Sequence, residues 1–308
     1  MDKIAPGRYV VAVSGGLDSM VLLDMLRGQK GLELIVAHAN HGQRPDAPLD
    51  TALVRSYCRA HTLRFVTKKL ALPPKASESA ARTARWEFLR HCSKKNKATA
   101  IITAHHQNDL IETALIALLR GTGWRGLAPF VASCDALRPL LNLTKNDLIA
   151  YARRNHIPWR EDTTNSDQSY LRNYIRHTFM PVLDQKSDTW RVKFLQHICK
   201  QQQLRQNLLA ELDTWMLAHT KSNANQLSLP RYQYIMLPSQ VGYEVIQHIL
   251  WRHTGRTLLR QQAEAAVLFT KTARPGKLMQ LDNNWQLRAE SANVIVEPRT
   301  NMLSLNKH

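Results

Sequence analysis

The sequence is poor in cysteine, and its four cysteines lie too far apart to form a C-x-x-C pair. This spacing argues against a zinc site and against a disulfide framework, and it fits a reducing cytoplasm. No run approaches the roughly 18 apolar residues of a membrane helix. The first apolar run, Tyr9–Val13, is too short for the core of a signal peptide. We therefore expect a cytoplasmic protein that is neither exported nor embedded in a membrane.

Acidic residues are also scarce relative to basic ones. The 24 Asp and Glu residues are outnumbered by 42 Lys and Arg, which gives a formal net charge of +18 at pH 7. The excess is spread along the chain, because no block of five or six like charges appears. In a globular protein such an excess favours a polyanionic partner such as nucleic acid, although some soluble proteins are simply basic. Composition does not indicate the oligomeric state, and a homodimer is one option.

The first 130 residues alternate short β-branched runs with longer helical patterns. The predicted strands are Tyr9–Val13, Leu34–Ala37, Leu63–Val66 and Thr99–Thr103, and the predicted helices are Ser19–Arg27, Asp46–His61, Glu78–Ser93 and Asp109–Arg120. This alternation is typical of a doubly wound α/β domain with a mainly parallel sheet. Beyond Arg138 the strand signal fades, and a helix is expected over Lys145–Asn155.

The chain is expected to form two domains. Residues 185–220 contain no Pro or Gly and predict one or two linking helices, followed by a polar boundary at Lys221–Asn225. We therefore assign residues 1–220 to the α/β domain with its helical extension. Residues 221–308 predict a smaller α+β domain, with helices at 239–254 and 258–270 and strands at 277–281, 286–289 and 294–296.

A glycine-rich loop joins the first strand to the first helix. Its residues are Ser14, Gly15, Gly16, Leu17, Asp18 and Ser19. Backbone amides at such a turn, together with the positive end of the helix dipole, form a cradle for phosphate. Ser14 and Ser19 offer hydroxyl donors, whereas Asp18 suits a Mg²⁺ ion that bridges phosphates. The spacing and the lysine of a Walker A loop are absent, and a plain Gly-Gly turn would look similar.

The pattern S-G-G-x-D-S resembles the loop of the N-type ATP pyrophosphatases, the PP-loop superfamily. Further segments resemble one branch of it, the tRNA(Ile)-lysidine synthetases, in the order of that family: residues 38–44, 78–85, 104–113 and 120–127, then a block from Arg138 through 161–165 and 170–176 to Pro181. The resemblance covers about residues 9–183, and the last third matches only loosely.

This resemblance implies a reaction and its partners. With ATP and Mg²⁺, the family joins L-lysine to C2 of cytidine 34 in the CAU anticodon of tRNA(Ile) through an adenylated cytidine. The product, lysidine, changes codon specificity from AUG to AUA. Residues 1–220 would be the catalytic domain, and residues 221–308 would bind tRNA. Some members carry a further C-terminal domain that grips the acceptor end. At 308 residues we expect recognition to rest on the anticodon stem-loop and the second domain.

The resemblance also implies roles for single residues. ATP would be bound by the loop from Ser14 to Ser19 and by His38 and Asn40, and Mg²⁺ would be bound by Asp18 and Asp109. The catalytic residues would be Asp18, Arg82, Arg85, Asp109 and Glu112. The residues that contact tRNA would be Arg44, Arg120, Arg125, Arg172 and Arg176.

Each assignment has a simpler alternative. Asp109 and Glu112 could hold Mg²⁺, position the ammonium of lysine or accept its proton, but acids in a first helical turn, capped by Asn108, also stabilise the helix dipole. Arg82 and Arg85 could neutralise phosphate charge or grip tRNA, yet Glu78 and Arg82 also match a surface pair.

The remaining basic positions have structural alternatives too. The loop with Arg120 and Arg125 could be a plain connector. Arg172 and Arg176 could contact tRNA or AMP, or could pair with Asp162.

One position departs from the family pattern. Asn108 stands where family members usually have the first of two aspartates. This change is the sole support for a tRNA-binding protein that lost catalysis. A tRNA thiolase of the same superfamily is the enzymatic rival, and the unpaired cysteines argue against it.

Overall fold

The computed structural model describes residues 1, 3–40, 47–70, 73, 78–131, 136–161, 171–223, 225–255 and 258–299. The chain forms two compact units, Met1–Gln202 and Gln203–His308. We predicted a boundary after residue 220, but the division falls inside the single helix Trp190–His219. The reason is that the two halves of this helix pack into different cores: Ile198 joins the first, and Leu212 joins the second.

The first unit contains a parallel sheet of five strands in the order β3-β2-β1-β4-β5. The strands are β1 (Gly7–Ala12), β2 (Leu32–Asn40), β3 (Arg64–Lys69), β4 (Ala100–Ile102) and β5 (Ala136–Leu137). The helices are α1 (Leu17–Arg27), α2 (Ala47–Ala60), α3 (Glu78–Lys95), α4 (Gln107–Leu119), α5 (Lys145–Arg154), α6 (Leu171–Tyr174), α7 (Met180–Lys186) and α8 (Trp190–His219). A π-helical turn, Ile175–Phe179, joins α6 to α7. The predicted doubly wound α/β fold is confirmed.

Neighbouring residues of β1 serve opposite faces of the sheet. Val11 packs with α1, α2 and α5 in one core, whereas Val10 packs with α3 in another. This alternation follows from the two-residue period of a strand. Because both faces of the sheet are covered at β1, its central residues are all apolar, as expected for a buried parallel strand.

The second unit is built on an antiparallel sheet in the order β6-β7-β10-β9-β8. Its elements are β6 (Lys221–Ser222), β7 (Leu227–Pro230), α9 (Arg231–Ile235), α10 (Ser239–Thr254), α11 (Arg260–Thr272), β8 (Leu278–Gln280), β9 (Trp285–Ala289) and β10 (Asn293–Pro298). A turn joins β8 to β9, in which the Asp282 carboxylate accepts the amides of Asn284 and Trp285 at 2.7 and 2.9 Å. The sequence did not predict β6 and β7.

Within the described part of the chain, no helix combines the length and the apolar character needed to cross a membrane.

Candidate functional site

The strand order places the candidate site between β1 and β4. After β1 the chain continues to β2 on one side of the sheet, whereas β4 lies on the other side. Loops that leave neighbouring strands on opposite sides open a crevice at the carboxyl edge of the sheet. The loop after β1 and the segment between β4 and α4 meet at this crevice.

The glycine-rich loop is held in shape by its own serine. The Ser19 hydroxyl accepts the amides of Ser14 and Gly15 at 3.1 and 3.3 Å and donates to the Gly16 carbonyl at 2.9 Å. Gly15 has φ +95°, a conformation that L side chains rarely adopt. Ser19 is buried, so its hydroxyl folds the loop and is not the free phosphate donor that we predicted.

The amino end of α1 keeps its backbone donors. The helix begins after Gly16, and among the described residues no side chain caps it. Its first-turn amides, from Leu17 onward, therefore point into the crevice with the positive end of the helix dipole. An anion such as a phosphate group fits this position.

Asp18 is the charged side chain of the loop that can meet a ligand. Its side chain is 32% exposed, and its carboxylate accepts the Lys145 ammonium at 2.7 Å. The Nε2 atom of His106 lies 3.7 Å from its other oxygen. Burial opposes ionisation, but His106 and Lys145 outweigh it and lower the Asp18 pKa. Asp18 is therefore an ionised carboxylate with a lysine partner that solvent can reach.

His106 connects the two sides of the crevice. It caps α4, since its Nδ1 accepts the amide of Asn108 at 3.2 Å. The ring proton is therefore assigned to Nε2, which lies between Asp18 and Asp109, 3.5 Å from the latter. Asp109 in turn accepts the His106 amide at 3.0 Å. The structural alternative considered above placed the helix cap at Asn108, but the capping residue is His106.

Glu112 is sealed inside a pair of arginines. Its side chain is 0% exposed; Arg172 Nε donates to it at 2.9 Å, and Arg176 donates through Nε and Nη2 at 2.7 and 2.9 Å. Both arginines also approach Asp109, at 3.3 and 3.6 Å. Burial disfavours the charge of Arg176, but Glu112 and Asp109 outweigh it and raise the Arg176 pKa.

This cluster bears on the predicted roles of Glu112, Arg172 and Arg176. Both oxygens of Glu112 accept arginine N–H groups in a fully buried position, which favours an anchoring role over the predicted catalytic role. Arg172 and Arg176 pair with Glu112 and Asp109, whereas the predicted alternative partner, Asp162, lies outside the described residues. Because each guanidinium carries five N–H groups, both arginines still have donors for an anion.

The His38 side chain is also committed. It is 2% exposed, Nδ1 lies 2.9 Å from the Val13 carbonyl, and Nε2 lies 3.0 Å from the Thr51 hydroxyl. Burial lowers the His38 pKa. Asn40 binds Thr51 as well, at 3.2 Å. Because both ring nitrogens of His38 have partners within the protein, the predicted contact with the nucleotide would have to come from the backbone of His38.

Arg82 and Arg85 lie on α3. Arg82 is exposed, Arg85 is half-buried, and both have contacts within the protein. Arg82 is near enough to His105, beside the crevice, to affect it electrostatically. Burial is the largest cause of a lowered His105 pKa, and the positive charges of Arg138, Arg172 and Arg82 lower it further. Together they outweigh the opposite effect of Asp109 and bring the His105 pKa to about 4. His105 is therefore neutral at pH 7.

Three further predicted tRNA contacts are Arg120, Arg125 and Arg44. Arg120 is exposed at the end of α4, and Arg125 is half-buried in the short 3₁₀ helix Trp124–Leu127 that follows. Arg44 lies outside the described residues.

Sequence reasoning missed Lys145 and Arg160. Lys145 is the first residue of α5, after the Thr144 cap, where a cation opposes the helix dipole. That unfavourable position was a readable signal of a role beyond helix formation. The Arg160 amide donates to the Gly15 carbonyl at 3.1 Å, and its side chain binds Asp50 at 2.9 Å, which braces the loop.

The donor set fits Mg²⁺ that arrives with a nucleotide. No cluster of three or more His, Cys, Asp or Glu suited to a metal occurs in the described ranges. Mg²⁺ is usually held by one or two carboxylates together with waters and substrate phosphates. Asp18, in the first turn of α1, suits such a shared site. The oxygens of Asp109, in contrast, already accept hydrogen bonds from His106 and Arg172.

Comparison with known proteins places the chain in a family. A family model, the PP-loop domain, matches residues 2–183, and the chain belongs to that family.

Within the PP-loop family the chain is similar to enzymes named tRNA(Ile)-lysidine synthase. It is 33% identical over 294 residues to that of Lactiplantibacillus plantarum, which covers 90% of this chain and 64% of the relative. It is 37% identical over 194 residues to that of Thermotoga maritima, which covers 59% of this chain and 47% of the relative. The chain thus spans roughly half to two thirds of the length of these relatives.

A solved structure shares the fold. It is a U34-tRNA thiolase from Methanococcus maripaludis with its [4Fe-4S] cluster, at a TM-score of 0.55 and 12% identity, covering 65% of this chain and 74% of that one.

Proposed function

We propose that this protein is an ATP-dependent ligase that joins L-lysine to C2 of cytidine 34 in tRNA(Ile) with a CAU anticodon. The observation that carries the proposal is the crevice itself. It sets an uncapped helix end with Asp18 opposite an arginine–carboxylate cluster around Asp109. One side suits a triphosphate, and the other suits a cationic amine next to a phosphoryl group. The similarity to enzymes named tRNA(Ile)-lysidine synthase supports lysine and tRNA(Ile) as the proposed partners.

In the first step, the C2 oxygen of the cytosine attacks the α-phosphorus of ATP, and pyrophosphate leaves. The amides at the start of α1 would bind the departing phosphates, since they are donors fixed in place before reaction. Asp18 would hold Mg²⁺, which neutralises phosphate charge when bound. Lys145 would then exchange its carboxylate partner for a phosphate oxygen.

In the second step, the ε-ammonium of lysine would give a proton to the Asp109 carboxylate, the freed amine would form a bond to C2, and the bond from C2 to the adenylated oxygen would break as AMP leaves. Asp109 would position the amine, because its side chain is 14% exposed whereas that of Glu112 is fully buried. Arg172 and Arg176, fixed by Glu112, would stabilise the phosphate of the leaving AMP. The enzyme would thus work mainly by positioning and by stabilising charge.

The proposal is tested by supplying labelled lysine, ATP and a CAU-anticodon transcript. Label should enter the RNA only when position 34 is cytidine, and the Asp18→Ala protein should fail to incorporate it. Labelled AMP trapped on the RNA without lysine would support the adenylated intermediate. Incorporation that persists in Asp18→Ala, or into a transcript with another base at position 34, would overturn the proposal.

Sulfur transfer is the rival reaction, and the described cysteines do not favour it. Cys58 and Cys92 are buried in the cores on opposite faces of the sheet, and burial raises the pKa of the Cys58 thiol to about 11. An iron–sulfur cluster needs several thiolates at one place. The third described cysteine, Cys199, is exposed on α8.

A further inference from the structure

An exposed tryptophan stands in the loop that follows α4. Trp124 is 38% exposed and begins the 3₁₀ helix Trp124–Leu127, close in sequence to Leu119, which is 65% exposed. None of the steps above uses Trp124. A large aromatic ring left open to water within a basic segment suits a binding surface, because one face of the ring can take up a flat partner.

The loop around Trp124 is folded tightly against α4. Gly121 and Gly123 have φ +65° and +67°, and a side chain at Gly126 would lie 2.0 Å from the Thr122 hydroxyl. That hydroxyl donates to the Ala117 carbonyl at 3.0 Å, which ties the loop to the helix. The ring is therefore presented on a fixed support, and binding to it costs little ordering of the loop.

One arginine lies beside the ring, and a second is close in sequence. The guanidinium of Arg125 lies 5.7 Å from the centre of the Trp124 ring, and Arg120 is exposed at the end of α4. An aromatic ring beside arginines is the arrangement with which proteins hold single-stranded nucleic acid, since the ring stacks on a base and the cations meet the backbone.

We propose that Trp124 is a stacking platform for one unpaired base of the RNA substrate. This inference rests on the proposed function for its RNA. The loop is tied to Ala117, which is eight residues along α4 from Asp109, or about 12 Å at the helical rise. A base stacked on Trp124 would therefore belong to the same loop as the base that reacts, and it would fix the position of that loop in the crevice.

The test measures binding of an anticodon stem-loop RNA by fluorescence anisotropy across a range of salt. Trp124→Ala should weaken binding about 10-fold, as expected for the loss of one stacked base. Trp124→Phe should keep most of the affinity. Leu119→Ala, an exposed apolar residue near the same helix end, is the matched control and should bind like the natural protein.

Salt dependence separates stacking from charge. Trp124→Ala should leave the slope of log K against log salt unchanged, whereas Arg120→Ala should reduce it by about one. An abasic substitution at the stacked nucleotide should weaken the natural protein and have no added effect on Trp124→Ala.

The outcomes are distinguishable. Equal affinity of Trp124→Ala and the natural protein, or equal losses in Trp124→Ala and Leu119→Ala, would overturn the platform while leaving the ligase proposal intact. The second result would indicate that both substitutions disturb this helix end in general and that no specific stacking contact is lost. A natural protein that does not bind the RNA at all would overturn both proposals.

Discussion

The carboxylates of Asp18 and Glu112 lie at the same edge of the parallel sheet but in opposite surroundings. Asp18 is about one third exposed and is paired with one lysine that solvent can reach. Glu112 is fully buried, and two arginines occupy both of its oxygens. A carboxylate that exchanges partners during a reaction has to be accessible, whereas one that fixes other groups is best sealed. Acidic residues of one motif set can therefore have different tasks.

Removing the sealed carboxylate should have the largest effect. Glu112→Ala leaves Arg172 and Arg176 without their main partner, and breaking a buried pair in this way costs about 3–5 kcal/mol. Denaturant unfolding should show this loss of stability together with a loss of ligation. An unchanged unfolding midpoint would mean that Glu112 is not the anchor that the contacts indicate.

Removing the accessible carboxylate should separate activity from stability. Asp18→Ala should lower the rate of lysine incorporation by at least about 10²–10³-fold, the usual cost of losing one preorganised electrostatic group. Its unfolding free energy should change by less than about 1 kcal/mol, because the pair with Lys145 is partly in water. Equal damage to stability in Asp18→Ala and Glu112→Ala would remove the distinction.

Replacing the lysine should give an intermediate effect. Lys145→Met removes a charge-assisted contact worth about 1.5–3 kcal/mol, which corresponds to about 10- to 100-fold weaker ATP binding or slower adenylation. Isothermal titration with ATP and with AMP checks the assignment to the triphosphate, since AMP binding should change little. Lys145→Arg, which keeps the charge, should restore part of the affinity.

A third carboxylate, Asp24, extends the comparison to pH. It lies on α1 with Asp18 but is buried, and it accepts Tyr57 at 2.5 Å and Tyr151 at 3.0 Å. Burial raises the Asp24 pKa, but the hydrogen bonds from Tyr57, Arg27 and Tyr151 outweigh it and lower the pKa overall.

Since the folded-state pKa of Asp24 is depressed, its contribution is present above about pH 4 and is lost as the pH falls through the lowered pKa. Asp24→Asn should therefore reduce the unfolding free energy by about 1–3 kcal/mol at pH 7. The difference from the natural protein should shrink below pH 4. A gap of constant size down to pH 2 would contradict the ionised pairing.

The smallest effect is expected at Asn108. Its side chain makes no hydrogen bond within the described part of the chain, and it occupies the first turn of α4. Asn108→Asp adds a charge that favours the helix dipole by about 0.3–1 kcal/mol. The ligation rate should change less than about 5-fold, as measured by initial rates. A large gain would show that the missing carboxylate matters to catalysis.

Local sequence signals were enough for the parallel sheet and most helices. The bounds of β1 and β4 were predicted to within two residues, whereas only the central four of the nine residues of β2 were predicted. The short strands β5, β6 and β7 were missed because two to four residues carry no periodicity, and their conformation depends on pairing with distant strands. The same reasoning applies to the domain boundary, since pattern alone does not divide one continuous helix between two cores.

The candidate site was predicted as a set of residues but not as a set of contacts. Arg172 and Glu112 are separated by 60 residues, and only the folded chain pairs them. Lys145 and Asp18 are 127 residues apart. Resemblance selected residue types at motif positions, but it gave no measure of which carboxylates would be buried.

The π-helical turn at Ile175–Phe179 fixes the length of the chain near the site. Its wide turn is closed by the Met180 amide, which donates to the Ile175 carbonyl five residues earlier. In a regular α-helix, two residues four positions apart differ in direction around the helix axis by about 40°. The wider π-helical turn reduces this angular difference. Arg176 can thus face Glu112 while Met180 stays buried beside Ile111. Deleting one residue from this turn should be far more damaging than substituting any of its exposed side chains. Apart from the buried Ile175 and the paired Arg176, the turn should therefore tolerate changes of residue but not of length.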